Sequence, residues 1–202
     1  MSILNRYQDL YPIMIPQLPA CSASLILQAL QKSARQFCID TEIWSETLNS
    51  INLVADQTDY TISSSWDAEI RRIKELRINT KANIAEGNDG AVQDPSLYKF
   101  TPEDALELDD SIKPPEAVTD GLEVDVCIIP INAAISVDYV LLNAWQEAIV
   151  AGAMVQLMVM PKQKWTNTTQ AAYYQQKYNS SWNSAKVEKV RKNVNGSVGL
   201  SA

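Results

Sequence analysis

The chain has 202 residues, 46% of them hydrophobic and 20% charged, which is the ordinary globular range and enough for one domain, or one domain with a sizeable insertion, around a real core. It has no histidine, which removes Ser-His-Asp and Cys-His catalysis and the commonest zinc ligand. The net charge of −7 is uneven: residues 161–202 hold seven Lys/Arg against one acid, giving +6, and residues 1–160 carry −13, so the acidic body is a poor candidate for gripping phosphates.

The opening stretch, "MSILNRYQDLYPIM", has no basic segment followed by an apolar run, so no signal peptide is expected. Cys21, Cys38 and Cys127 have no CxxC spacing and read as free buried thiols in a reducing compartment. A first helix is expected over residues 22–44, with Ser22 as its cap. Ile26, Leu30, Ser33, Phe37, Thr41 and Trp44 would share one face, and Gln28, Lys32, Arg35 and Glu42 would largely fill the rest. The period then changes. "LNSINLVADQTDYTIS" alternates in part, with a turn at Asp56-Gln57. "EIRRIKELRIN" reads as a strand because Leu76 and Ile78 alternate with Glu75 and Arg77, although its Glu, Lys, Arg and Leu also suit a helix.

"NTKANIAEGNDGAVQDPS" is the longest loop candidate and is expected to project from the sheet. "LYKF" and "LELDD" read as a hairpin across "TPEDA", against a rival short helix capped by Thr101 with Pro102 at its first position. "GLEVDVCIIP" is the clearest strand, with Leu122, Val124, Val126 and Ile128 on one face. A second long helix is expected from near Ser136 or Asp138 to Pro161. Its fourteen uncharged residues between Glu147 and Lys162 are too few for a membrane span and include Gln156, so they read as core. Ala144, Ala148 and Gly152 recur every fourth residue and would let the first helix approach closely. Asn167 and Gln170 form a variant capping box for a third helix. Tyr174, Tyr178 and Trp182, with Ala185 after them, would anchor it, Asn195-Gly196 would end it, and residues 197–202 would be a flexible tail.

The pattern predicts an α+β fold: about three main helices in a bundle (residues 1–44 and 131–196) interrupted by a β-rich antiparallel insertion of about six strands (residues 45–130). Chemical motifs are few. Asp109, Asp110 and the acids of "TPED" read as a solvated edge, "EGNDGAVQD" lacks the spaced acids of a calcium loop, and no phosphate-binding glycine motif is present. No catalytic centre, metal or cofactor is expected.

The order of the pieces resembles the head-to-tail adaptor (connector) proteins of tailed bacteriophages. The matching stretches are "YPIMIPQLPACS" leading into "LILQALQKSARQFCIDTEIW", "INLVADQTDYTI" leading into "IRRIKELRI", "GLEVDVCIIP", and "LLNAWQEAIVAGAMVQLMVMPKQKWTN" followed by "AAYYQQKY", together about residues 7–185. Residues 82–120 follow no such pattern. The resemblance implies a virion neck protein, assembled in the host cytoplasm, that forms a twelve-copy ring beneath the portal. The ring would join the DNA-filled head to the tail and continue the DNA channel. Its partners would be the portal protein, a downstream tail or nozzle protein and further copies of itself. DNA would pass through the lumen without specific binding, and no membrane would be involved.

An acidic body suits such a channel because it repels a strand that must slide. The basic residues Lys186, Lys189, Arg191 and Lys192, lying beyond the aromatic anchor, are expected to dock on an acidic portal surface. Two other readings stay open: another virion ring or tail-completion protein, and a small hydrolase or ligand-binding domain using Asp109, Asp110 and Glu116.

Overall fold

The computed structural model describes residues 4–86, 90–101 and 104–196, and the chain divides into two compact units, residues 1–43 with 130–202 and residues 44–129. In chain order the elements are β1 (Leu4–Arg6), α1 (Tyr11–Met14), α2 (Ala23–Thr41), β2 (Ser45–Thr47), β3 (Ile51–Leu53), β4 (Asp59–Thr61), β5 (Ala68–Ile78), α3 (Lys81–Glu86), β6 (Ala91–Val92), β7 (Tyr98–Thr101), β8 (Ala105–Leu108), β9 (Val118–Pro130), β10 (Ser136–Asp138), α4 (Tyr139–Met158) and α5 (Thr168–Gly196). The fold therefore mixes α-helices with antiparallel sheets.

In the first unit the extended Ser22 starts α2, its hydroxyl accepting from the Leu25 N–H at 3.3 Å. Ile26, Leu30, Ser33, Phe37 and Thr41 are buried along one face, with Ala29, Ala34 and Cys38 beside them. The helix stops sooner than its periodicity suggests. Glu42 takes the left-handed conformation (φ 50) and its N–H closes onto the Cys38 carbonyl at 2.8 Å, so Trp44 is not on the helical face. Trp44 belongs to the 44–129 unit instead, where its ring lies 6.2 Å from that of Trp66. Cys38 and Cys127 are buried and in no disulfide, whereas Cys21 is only half-buried.

The second long helix also starts late, because Ser136 is spent in β10, which pairs with β1 in the register Leu4↔Asp138. α4 begins at Tyr139 and loses helical geometry at Trp145 (φ −122, ψ 19). Beyond that break Ala148, Ile149, Val150, Ala151, Ala153, Met154, Leu157 and Met158 are buried, so the apolar run packs on nearly every side. No helix among the described residues is long and apolar enough to cross a membrane. After Pro161 the chain turns through Lys162 (φ 60), and the turn is held by Trp165 Nε1–H donating to the Leu157 carbonyl (3.1 Å) and by the Asn167 N–H on the Met158 carbonyl (3.0 Å). Asn167 then caps α5 by accepting from the Gln170 N–H at 3.0 Å. The Gln170 side chain does not complete a capping box on the backbone; it meets the Asn167 side chain and Gln17 Oε1. α5 runs to Gly196, and the expected flexible tail, residues 197–202, lies outside the described residues.

The 44–129 unit is built around β9, which is flanked by β2 and β3 on one side and β5 on the other, with β6 beyond β5. Leu122, Val124, Val126 and Ile128 are all buried. Ile70, Ile73 and Leu76 of β5 are buried at spacings of three, so this strand departs from strict alternation and Ile73 rather than Lys74 faces inward. The turn after β3 falls at Ala55–Asp56, one residue early, with Asp56 at φ 60. β7 and β8 form a hairpin, Tyr98↔Leu108 through Thr101↔Ala105, so Thr101 ends a strand instead of capping a helix; Pro102 and Glu103 lie outside the described residues. The long loop is partly ordered into α3 and β6, and residues 87–89 lie outside the described residues. Eight strands, β2 to β9, occur among the described residues here, more than the six expected, because the stretch before β5 breaks into three short pieces.

Candidate functional site

α5 is a 29-residue helix that touches the rest of its unit along one stripe. Ala171 and Ala185 are buried in that stripe, and Tyr174, Tyr178 and Trp182 are half-buried between them. Phe37, Ala148 and Ala185 form a buried cluster against which Ile43, Trp145, Tyr178 and Trp182 pack. The Phe37 ring sits 5.5 Å from Trp145 and 6.0 Å from Tyr178, the latter edge-on, a geometry aromatic pairs favour. The Tyr178 hydroxyl is buried without a hydrogen-bond partner, and burial, with lesser contributions from Asp40 and Cys38, pushes its pKa up to about 12.

Of the small-residue stripe, Gly152 and Ala148 pack and Ala144 does not. A Cβ at Gly152 would lie 2.3 Å from Ser33 Oγ and 3.0 Å from Tyr178 Cε2, so α2 and α5 both close onto α4 at this residue. Ser33 Oγ donates to the Ile149 carbonyl at 2.7 Å in the same contact. Ala144 precedes the break at Trp145, which shifts the helical phase, and it is exposed.

The four basic residues expected to project from the end of α5 do not act alike. Lys189 pairs with Glu42, each side chain 23% exposed, so it belongs to the anchor and does not lie beyond it. The left-handed turn at Glu42 ends α2 where the Glu42 carboxylate meets α5, a contact across 147 residues that sequence spacing cannot signal. Lys186 lies over the Trp182 ring with its ammonium 3.7 Å from the centroid. These residues border a cleft of about 580 Å³ lined by Asp40, Tyr178, Asn179, Trp182, Asn183 and Lys186. Arg191 is exposed beside a second cleft of about 500 Å³ that includes Trp145 and Val187. Lys192 lies in the last turns of α5, its side chain outside those described.

Charge follows the two units. The helical unit holds ten Lys/Arg and six Asp/Glu, +4, and the 44–129 unit holds seven and eighteen, −11. The acidity assigned by sequence to the whole body is therefore concentrated in residues 44–129. Asp109 is held by the Ser111 hydroxyl and then by its N–H, which lower its pKa; Asp110 sits 3.8 Å from Lys113, and Glu116 is 2.8 Å from Lys81. Each of these three carboxylates thus has a separate surface partner. No group of three His, Cys, Asp or Glu among the described residues is placed to hold a metal ion.

In the sheet ordered β4-β8-β7, the face carrying Tyr60, Leu106 and Leu108 is buried. The opposite face presents two rows across the strands, Asp59-Glu107-Lys99 and Thr61-Ala105-Thr101, set by the register of both pairs. No known family model matches the sequence, and no curated protein matches it.

Proposed function

We propose that this chain is a structural protein of the virion neck, a head-to-tail adaptor that forms a ring beneath the portal and carries no catalytic, metal or cofactor site. In this reading residues 1–44 and 131–196 are a helical bundle of three main helices, interrupted by the β-rich insertion 45–130. The observation that carries the proposal is the order of the adaptor-like stretches over about residues 7–185. The charge division is consistent with it: a unit of −11 offers repulsion to passing DNA, and a ring subunit needs a second surface of opposite character for its neighbours.

Docking to the portal is assigned to the end of α5. With Lys189 engaged by Glu42, the contact falls to Lys186, Arg191, Lys192 and the residues beyond, facing an acidic portal surface. Deleting residues 192–202 keeps Lys189, Ala185 and the aromatic stripe, so the chain is expected to fold. Phage carrying that deletion is expected to accumulate DNA-filled heads without tails. Wild-type infectious titre from the deletion combined with Lys186→Gln/Arg191→Gln would move portal docking to another surface, and a particle population free of this chain would overturn the neck assignment.

A further inference from the structure

One end of the helical unit combines exposed apolar side chains with uncompensated positive charge. Residues 10–31 carry no charge, and residues 148–187 carry four lysines and no acid. Gln17 accepts from Gln170 Nε2–H (3.0 Å) and from the Tyr174 hydroxyl, which pins the Pro-rich segment 11–17 against the first turns of α5, next to the turn from α4. Ile13, Ile15 and Val159 are 44%, 51% and 54% exposed on these segments. Pro12, Pro16, Pro161, Lys162 and Lys164 are exposed among them. An exposed apolar surface flanked by Lys162 and Lys164 is incomplete in water and fits an acidic counterpart with a small apolar centre.

The outer face of the β4-β8-β7 sheet has that character. Its Thr61-Ala105-Thr101 row is small and weakly polar. The adjoining row places Asp59 directly opposite Glu107, a like-charge cross-strand pair that costs folding energy, with Lys99 on the far side of Glu107. A cation arriving from another molecule would relieve that repulsion. We infer that the Ile13/Ile15/Val159 end of one copy, with Lys162 and Lys164, seats on the Asp59/Glu107 sheet face of the next copy. The inference rests on the ring reading and specifies its contact. Two different patches on each chain make the contact heterologous, the kind that closes into rings. It leaves the basic end of α5 free for a second partner.

The test is a charge swap in the full-length chain, read by sedimentation velocity at about 50 mM and about 500 mM salt, where exposed charges are weakly and strongly screened. Wild type is expected to self-associate at low salt and dissociate at high salt. Asp59→Lys/Glu107→Lys and Lys162→Glu/Lys164→Glu are each expected to weaken association on the order of tenfold or more, since each brings like charges together. Mixed one to one they are expected to recover it, because the patches then alternate in sign from copy to copy. Val159→Asn, which keeps every charge, is expected to weaken association at both salt concentrations. Circular dichroism establishes that each variant is folded. A wild-type chain that stays monomeric, variants that associate as wild type does, or a mixture of folded variants that fails to recover overturns this contact. So does binding of the wild type to anionic vesicles that Lys162→Glu/Lys164→Glu abolishes while its self-association persists, which would assign the patch to a membrane surface. None of these results alters the test of the neck assignment, which is made on particles.

Discussion

Residues 148–158 of α4 bury most of their side chains whichever way they point, whereas β4, β7 and β8 bury one face and leave Asp59, Glu107 and Lys99 in water. The helical unit gathers its apolar surface into three long elements meeting at Gly152, Phe37 and Ala185. The other unit holds eighteen acids in its sequence, with Asp59 and Glu107 side by side on an open sheet face. The first kind of structure depends on close packing and responds steeply to a change of volume. The second depends on ladders and tolerates charge on its open face, so the sequence there is free to serve an outside partner.

Substitutions sharpen this contrast. Phe37→Ala removes a fully buried ring that touches Trp145 and Tyr178 and is expected to cost about 3–5 kcal/mol in denaturant unfolding. Gly152→Leu is expected to cost about 1–3 kcal/mol or more, because even a Cβ there meets Ser33 Oγ and the Tyr178 ring. An unchanged midpoint for either would mean that α2, α4 and α5 do not close on one another at these residues.

The helical unit is also expected to carry an alkaline weakness. Tyr178 titrates near its ordinary 10.0 when unfolded and at about 12 when folded, so between those values the unfolded chain has released a proton that the folded chain retains. Stability then falls as pH rises from about 10 towards about 12 and is undiminished by this group below that window. Tyr7 and Cys38, whose pKa values burial raises, act in the same direction. Tyr178→Phe is expected to flatten part of this fall in melting temperature, and an identical alkaline slope would exclude Tyr178 as its source.

The sheet face is expected to respond least and with the opposite sign. Asp59→Asn removes the repulsion from Glu107 while leaving Glu107 opposite Lys99, and is expected to raise the stability of the monomer by about 0.5 kcal/mol. A loss of stability would show that the Asp59 carboxylate serves folding and is not held for a partner.

Elements with a long, regular period were the legible ones. The inward face of α2 from Ile26 to Thr41, the buried stripe of β9 and the hairpin of β7 with β8 all follow from spacing, because each repeats one burial rule over several residues. What escaped depends on single residues or distant partners. Glu42 adopts a left-handed conformation more usual for glycine, so no residue type warns that α2 ends before Trp44. Trp145 interrupts α4 without a proline or glycine, and that one break puts Ala144 in solvent. Ser136 suits a helix cap, yet β10 takes it to pair with a strand 130 residues earlier in the register Arg6↔Ser136, where the exchange of backbone hydrogen bonds outweighs capping. The basic set at the end of α5 was legible as charge, but the pairing of Lys189 with Glu42 was not.

The neck assignment is the central claim, and imaging purified tailed particles with this chain labelled at its C-terminus tests it most directly. Density for twelve copies in one ring immediately beneath the portal is expected, with the DNA channel running through its centre. Label on the capsid surface, a sixfold ring further along the tail, or particles without the chain would contradict it.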